Sequence, residues 1–309
     1  MNGLRVLLVV LCAFVLLGGV LIYCVDNDDY DVALSSSGDF TISGFMPAEY
    51  SYRVYTGSDV PEHLYIYLDS GYSSFFNYYK QKEFSEGLTL LLKNRGYGTV
   101  SYVDASQLPD VLSNADDSAV MFVSGSLPDT VTLDAVITYM ENGGCVYWSG
   151  PDIGSYVSHK GSCDETDDGY FGEYVNDKDD EQVKAIADIG RSIGLSLDEL
   201  TYGLGLDCPD SEVLSTYGEK HSSLSVVPVG EGRIFVFGTN LSEVSINVES
   251  AVAELIICGI GEDTEITSSG SGHKGIGDAK GSIEIGPDAE LVIFSIGKPY
   301  SAWAKVFDL

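Results

Sequence analysis

Two rhythms of apolar and polar positions alternate along residues 60–260. Short apolar runs at 63–68 (HLYIYL), 99–103, 119–123, 145–148 and 233–237 are rich in β-branched and aromatic residues and are bounded by Gly, Ser and Asp. Such runs read as buried strands. Between them apolar residues return at helical spacing. The spacing predicts a helix over 75–95 (Phe84, Leu88, Leu91, Leu92, with Gly96 as its stop) and a short one over 107–114 (Leu108, Val111, Leu112). It predicts a third carrying Leu133, Val136, Ile137 and Met140 and closed by Gly143-Gly144. Two more follow over 180–193 (Val183, Ile186, Ala187, Ile193) and 242–258 (Val244, Val248, Val252, Leu255, Ile256). Strands alternating with helices imply a parallel sheet covered on both faces. The expected fold is therefore α/β: a three-layer, flavodoxin-like, mainly parallel sheet with right-handed crossovers.

Three stretches depart from this rhythm. Residues 155–180 are polar, acidic and aromatic without a period, and read as a long functional insertion. Residues 262–280, which run SSGSGHKGIGDAK from Ser268 onward, read as a flexible linker. The tail 281–309 holds strand-like runs that need partners, for which the β-like pieces at 38–57 are candidates. The expected division is an anchor at 1–25, a stalk with edge strands at 26–59, the α/β domain at 60–261, the linker, and a small C-terminal β extension at 281–309.

The anchor expectation comes from residues 4–25, which carry one charge, Arg5, in 22 positions. That is the length of a spanning helix and more than a signal-peptide core. Tyr23 falls at an interface position, and Asp26, Asp28, Asp29 and Asp31 follow. The reading is a single-pass cell-membrane protein, N-terminus cytoplasmic and bulk extracytoplasmic. Tyr23 before Cys24 is too large for a lipoprotein cleavage box, so an uncleaved anchor is expected.

Charge narrows the partners. Sixteen Lys and Arg against 47 Asp and Glu give a formal charge of −31, which argues against nucleic acid because a negative field repels phosphate. Partners are then the membrane, through the N-terminal helix, and a protein or carbohydrate ligand. Cys145 and Cys258 lie in apolar surroundings and read as buried hydrophobes, whereas Cys163 and Cys208 lie in loop-like sequence and are the expected disulfide. Asn240-Leu241-Ser242 is an N-glycosylation sequon.

Ligands of open α/β sheets lie beyond the carboxyl ends of the strands. Here that edge offers Asp69, Ser70 and Gly71, then Ser124, Gly125 and Ser126, then Trp148, Ser149, Gly150 and Asp152. Ser149 is the candidate nucleophile among them. Asp164, Asp167 and Asp168 are the candidate ligands of a structural Ca²⁺, although Val175 stands where a calcium loop places its bidentate Glu. No other cofactor is expected. Aromatic residues including Tyr72, Phe75, Tyr156, Tyr170, Phe171 and Tyr174 sit beside these polar loops, a pairing that suits carbohydrate or protein binding.

Three pieces, AVMFVSGSLPD, NGGCVYWSGPDIG and VPVGEGRIFVFG, taken with the element order, resemble the class I glutamine-amidotransferase-like superfamily, including its ThuA-like and trimerisation-domain relatives. The resemblance covers about residues 60–260 and implies a flavodoxin-like sheet with a pocket over the strand ends named above. It also implies that active members carry a Cys on a sharp elbow after a central strand. Here Trp148 or Ser149 fills that place, Cys145 comes three residues too early, and the late His-x-Glu pair is missing, His221 being followed by Ser222-Ser223. A thiol or hydroxyl needs an adjacent base, and no Cys-His-Glu or Ser-His-Asp set assembles. The expected function is a non-catalytic binding or structural module at the cell surface. The alternatives are a surface hydrolase or glycan-processing accessory using Ser149 and the strand-end carboxylates, and a subunit of an envelope complex.

Overall fold

The computed structural model describes residues 30–169, 174–175, 205–206, 212–217, 221–237, 240–243, 246–260, 264–297 and 304–309. In chain order the elements begin with β1 (Asp31–Leu34), β2 (Asp39–Ser43), β3 (Ala48–Thr56), β4 (His63–Tyr67), α1 (Tyr78–Asn94), β5 (Thr99–Val103) and α2 (Leu108–Leu112). There follow β6 (Ser118–Phe122), β7 (Leu127–Pro128), α3 (Leu133–Glu141), β8 (Cys145–Ser149), β9 (Tyr156–Ser158), β10 (Cys163–Glu165), β11 (Tyr174–Val175) and β12 (Gly205–Leu206). The chain continues through β13 (Glu212–Tyr217), β14 (His221–Val229), β15 (Gly232–Phe237), a 3₁₀ turn (Leu241–Glu243) and α4 (Ile246–Ile257). It closes with β16 (Glu265–Lys274), β17 (Ala279–Ser282), β18 (Leu291–Ile296) and β19 (Ala304–Asp308).

A seven-stranded mixed sheet, ordered β13-β14-β15-β8-β6-β4-β5, forms the middle of the molecule. Its strands from β15 to β5 run parallel, and β14 and β13 extend it as an antiparallel hairpin. Successive residues of each strand serve opposite faces, as the pleat requires. Leu64, Ile66, Met121 and Tyr147 meet α1 and α4 on one face, while Tyr67, Phe122, Trp148 and Val236 meet α2 and α3 on the other. Local chemistry sets the helix ends. Asn77 caps α1 by accepting the Tyr79 N–H at 2.9 Å, and Gly96 follows with φ +84°. Thr132 caps α3 by accepting the Ala135 N–H at 3.2 Å.

Outside this sheet the strand pairs are antiparallel among the described residues, except for the short parallel pair β7–β9. β16-β3-β18-β19 form one sheet and β1-β2-β17 a second, and Val32, Phe40, Ile42, Val54, Ile283, Val292 and Phe294 pack between them. Strands from 39–56 thus pair with strands from 265–308 in a small sandwich.

Three expectations are corrected here. A mainly parallel flavodoxin-like layer does not describe the chain, because most of its strands pair antiparallel in sheets outside the parallel five. The stretch read as a linker, 262–280, holds the ten-residue strand β16. Its Gly270 and Gly272 leave room for the rings of Tyr52 and Tyr50 on the neighbouring strand, so the apolar side chains that stabilise β16 belong to β3. Third, no helix among the described residues is long and apolar enough to cross a membrane, and residues 4–25 lie outside them. The spanning anchor, the transmembrane orientation and the cell-membrane location and partner are therefore set aside. The helix expected over 180–193 also lies outside the described residues.

A buried ionic cluster joins the sandwich to the α/β layer. Glu254 of α4, fully buried, accepts from Arg53 Nη1 at 2.6 Å and from Tyr55 Oη at 2.9 Å, both on β3. Arg95, buried after α1, donates to the Ser250 carbonyl at 2.9 Å and lies within electrostatic reach of Glu254. Close by, Gly87 of α1 lets the Glu249 carboxylate approach the helix backbone. Burial, then the charge of Glu83, raises the Glu249 pKa. A carboxyl whose folded pKa is raised binds more protons folded than unfolded, so stability falls as pH rises through that pKa. Glu249→Gln is therefore expected to raise the urea midpoint at pH 7, and the gain should vanish at pH 4, where the native carboxyl is itself protonated.

Candidate functional site

The strand ends named from the sequence do converge, but they are packed shut. Gly125 (φ +66°) follows β6 and Gly150 (φ +144°) follows β8. A Cβ on Gly150 would stand 2.5 Å from the Gly125 Cα, so the two turns touch backbone to backbone. Over them runs a strap, residues 72–76. Its Phe76 N–H donates to the Ser124 carbonyl at 3.0 Å, its Phe75 N–H to Ser126 Oγ at 3.3 Å, and its Ser73 N–H to the His159 carbonyl at 2.9 Å. The Phe76 ring lies against Gly125.

The small polar residues beneath the strap serve the backbone. Ser124, Ser126 and Ser149 are fully buried. Ser124 Oγ donates to the Ser126 carbonyl at 2.7 Å, and Ser149 Oγ accepts the Leu241 N–H at 3.1 Å, tying β8 to the 3₁₀ turn. Trp148 is buried in the core and donates Nε1–H to the Pro151 carbonyl at 2.6 Å. Asp69 is a turn residue: Oδ1 accepts the Gly71 N–H at 2.7 Å and Oδ2 the Ala105 N–H at 3.1 Å. Ser70 and Gly71 are exposed beside it. The Ser155 hydroxyl and N–H both donate to the Asp152 carbonyl, and the Asp152 side chain approaches Gly169. These residues are brought together as a folded turn cluster. Ser149 is fully buried and so lacks the exposure of a nucleophile.

The other sequence candidates separate. Among the described residues no three His, Cys, Asp or Glu side chains are grouped to hold a metal, and Asp164, Asp167 and Asp168 do not converge. Asp164 instead accepts from Ser162 Oγ at 3.1 Å. Cys163 has a free thiol whose pKa burial raises, and Cys208 lies outside the described residues. Cys145 and Cys258 are buried, and burial pushes the Cys145 thiol up to about 11. Asn240 caps the 3₁₀ turn, its Oδ1 accepting the Ser242 N–H at 3.1 Å and also bonding the Ser242 hydroxyl. Tyr170 and Phe171 lie outside the described residues, as do the side-chain positions of Tyr174 and His221.

On the outer side of the strap lies a polar group not foreseen as a unit. Asp129, just after β7, accepts from His159 Nδ1 at 2.7 Å and from the Tyr72 hydroxyl at 3.0 Å. The carboxylate can only accept, so Nδ1 carries the proton. These two bonds, His159 first, hold the Asp129 carboxyl below its ordinary pKa, and the Tyr72 hydroxyl is raised by burial and by its bond to Asp129. His159 Nε2 stands 3.6 Å from Asp164 Oδ2, and the Lys160 ammonium lies 6.0 Å from the Tyr72 ring centre. Three residues along, Phe75 is 45% exposed with its ring centre 4.5 Å from that of Tyr156. Thirty positions separate Asp129 from His159.

No family model matches the chain, and no curated protein does. Among solved structures it is similar to the exo-β-1,4-mannosidase Op5Man5 from Opitutaceae bacterium strain TAV5, at 14% identity and TM-score 0.31, over 62% of this chain and 32% of that one. It is also similar to a β-galactosidase from Rahnella sp. R3, at 14% identity and TM-score 0.35, over 63% and 31%. A third is the β-galactosidase from Bacillus circulans sp. alkalophilus, at 14% identity and TM-score 0.34, over 60% and 29%. The chain spans about a third of the length of these proteins. Likenesses of this size carry no inference about activity.

Proposed function

We propose that this chain is a non-catalytic binding module whose binding face is the outer side of the 72–76 strap, and that its ligand is a neutral saccharide. The observation that carries the reading is the Tyr72–Asp129–His159 network lying beside the half-exposed Phe75 and Tyr156. A saccharide offers hydroxyls to a carboxylate and an imidazole, and an apolar C–H face to an aromatic ring. The formal charge of −31, with Asp129 and Asp164 at the face, disfavours an anionic ligand. The filled crevice beneath the strap supports binding over catalysis, since Ser149 lies fully buried there with its Oγ accepting the Leu241 N–H.

Calorimetric titration with neutral gluco-, galacto- and manno-oligosaccharides tests this. At least one series is expected to bind, and Phe75→Ala should weaken it about tenfold, the effect of roughly 1.4 kcal/mol of lost stacking. Saccharide binding that Phe75→Ala and Asp129→Asn both leave intact would move the site elsewhere, and no binding by any series would end the proposal.

A further inference from the structure

One end of the sandwich carries two apolar loop tips. The β2–β3 loop presents Phe45, 76% exposed, and the β16–β17 loop presents Ile276, 84% exposed. Both loops cross between the two sheets at the same end, because Lys274 pairs with Ala48 at the start of β3. They are knit together by one ammonium. Lys274, fully buried, donates Nζ to the Gly44 carbonyl at 2.5 Å, the Met46 carbonyl at 3.1 Å and the Gly275 carbonyl at 3.3 Å. All three of its protons are used on the residues that flank Phe45 and precede Ile276. The fold therefore holds two large apolar side chains outward on a pinned base.

The chain enters at this same end. Tyr30, just before β1, packs its ring against Gly44 and lies 5.8 Å from the Lys274 ammonium. The α/β layer leaves from the other end of β3, eight residues on, about 26 Å away at the rise of an extended strand. Leu309 is at that far end too, since Asp308 pairs with Leu291, which pairs with Tyr55.

Upstream of Tyr30 lie the acidic residues Asp26, Asp28 and Asp29 and, before them, the apolar run 4–25. Six residue steps separate Cys24 from Tyr30, a reach of at most about 20 Å. The end of the chain's longest apolar run is thus tethered within one loop length of these two exposed apolar tips. On a surface of charge −31 those tips are where apolar side chains within this reach gain by burial. We infer that the loop tips at Phe45 and Ile276 are a docking surface for the C-terminal part of this chain's own 4–25 segment.

Cys24 supplies the probe. In the full chain, Phe45→Cys and Ile276→Cys each place a thiol on a tip without touching the Lys274 clamp. Mild oxidation is expected to bridge the new thiol to Cys24 within one molecule, as read by peptide mass mapping, and Cys24→Ser should abolish the bridge. Leu90→Cys, 60% exposed on α1, should form none. Bridging only between two molecules would overturn the proposal in favour of a second copy. No bridging, with the tip thiols reacting with a maleimide as fast as the Leu90→Cys thiol, would overturn it outright.

Discussion

Glu254→Ala is expected to lower the unfolding free energy by about 3–5 kcal/mol, the usual cost of removing one partner from a buried ionic group. Glu254 is the carboxylate that Arg53 and Tyr55 of the sandwich share with the Arg95 region of the α/β layer. Without it the Arg53 guanidinium and the Tyr55 hydroxyl lose the acceptor they share inside the interface. Taking a charged acceptor from a low-dielectric contact is what makes the deletion costly. The measurement is a urea melt. At a slope of about 3 kcal/mol/M the midpoint should fall by 1 M or more. Glu254→Gln keeps an acceptor for the Tyr55 hydroxyl and should recover part of the loss. A midpoint unchanged by Glu254→Ala would mean that the cluster does not hold the two layers together.

Gly150→Ala should come next in size. Gly150 holds φ +144°, a region that costs a side-chain-bearing residue about 1–3 kcal/mol. The added Cβ would also stand 2.5 Å from the Gly125 Cα. Backbone cannot swing aside as a side-chain end can, so the β6 and β8 turns must part. Overlap of this kind typically adds about another 1–3 kcal/mol. Gly125→Ala meets the Phe76 ring first, at 2.9 Å, and a ring can turn, so its cost should be smaller. Parting the turns also lifts the strap, because Phe76 and Phe75 hang on Ser124 and Ser126. Limited proteolysis should then cut Gly150→Ala within 72–76, where the native chain resists. Equal midpoints and equal resistance would show that the crevice is looser than the contact implies.

The residues that could be read in advance were those whose own side chains carry the structural signal. β4, β5, β6, β8 and β15 are apolar runs, and α1 announces itself through Phe84, Leu88, Leu91 and Leu92 as well as Gly96. β16 was illegible because its partner supplies the apolar surface: Ser, Thr and Gly in EITSSGSGHK read as linker until Tyr50 and Tyr52 are laid across them. Lys274 and Glu254 were illegible for the opposite reason, since a charged residue reads as surface until its partners are in view. At the site, the positions were legible and their role was not. Ser-Gly after a strand has the same spelling whether it forms an open elbow or a closed turn. What separates the two here is the Leu241 N–H, ninety-two residues from Ser149, and the 72–76 strap, which comes from another part of the chain. The Asp129–His159 pair likewise depends on β7 and β9 lying side by side.

The central claim is that Ser149 is a buried structural hydroxyl beneath a closed strap, which leaves the outer face to do the binding. Labelling with a fluorophosphonate, read by intact mass and peptide mapping, tests it most directly, because that reagent modifies only an exposed and activated serine. The account predicts no adduct at Ser149 in the native protein. A stoichiometric adduct at Ser149 that disappears in Ser149→Ala would contradict it.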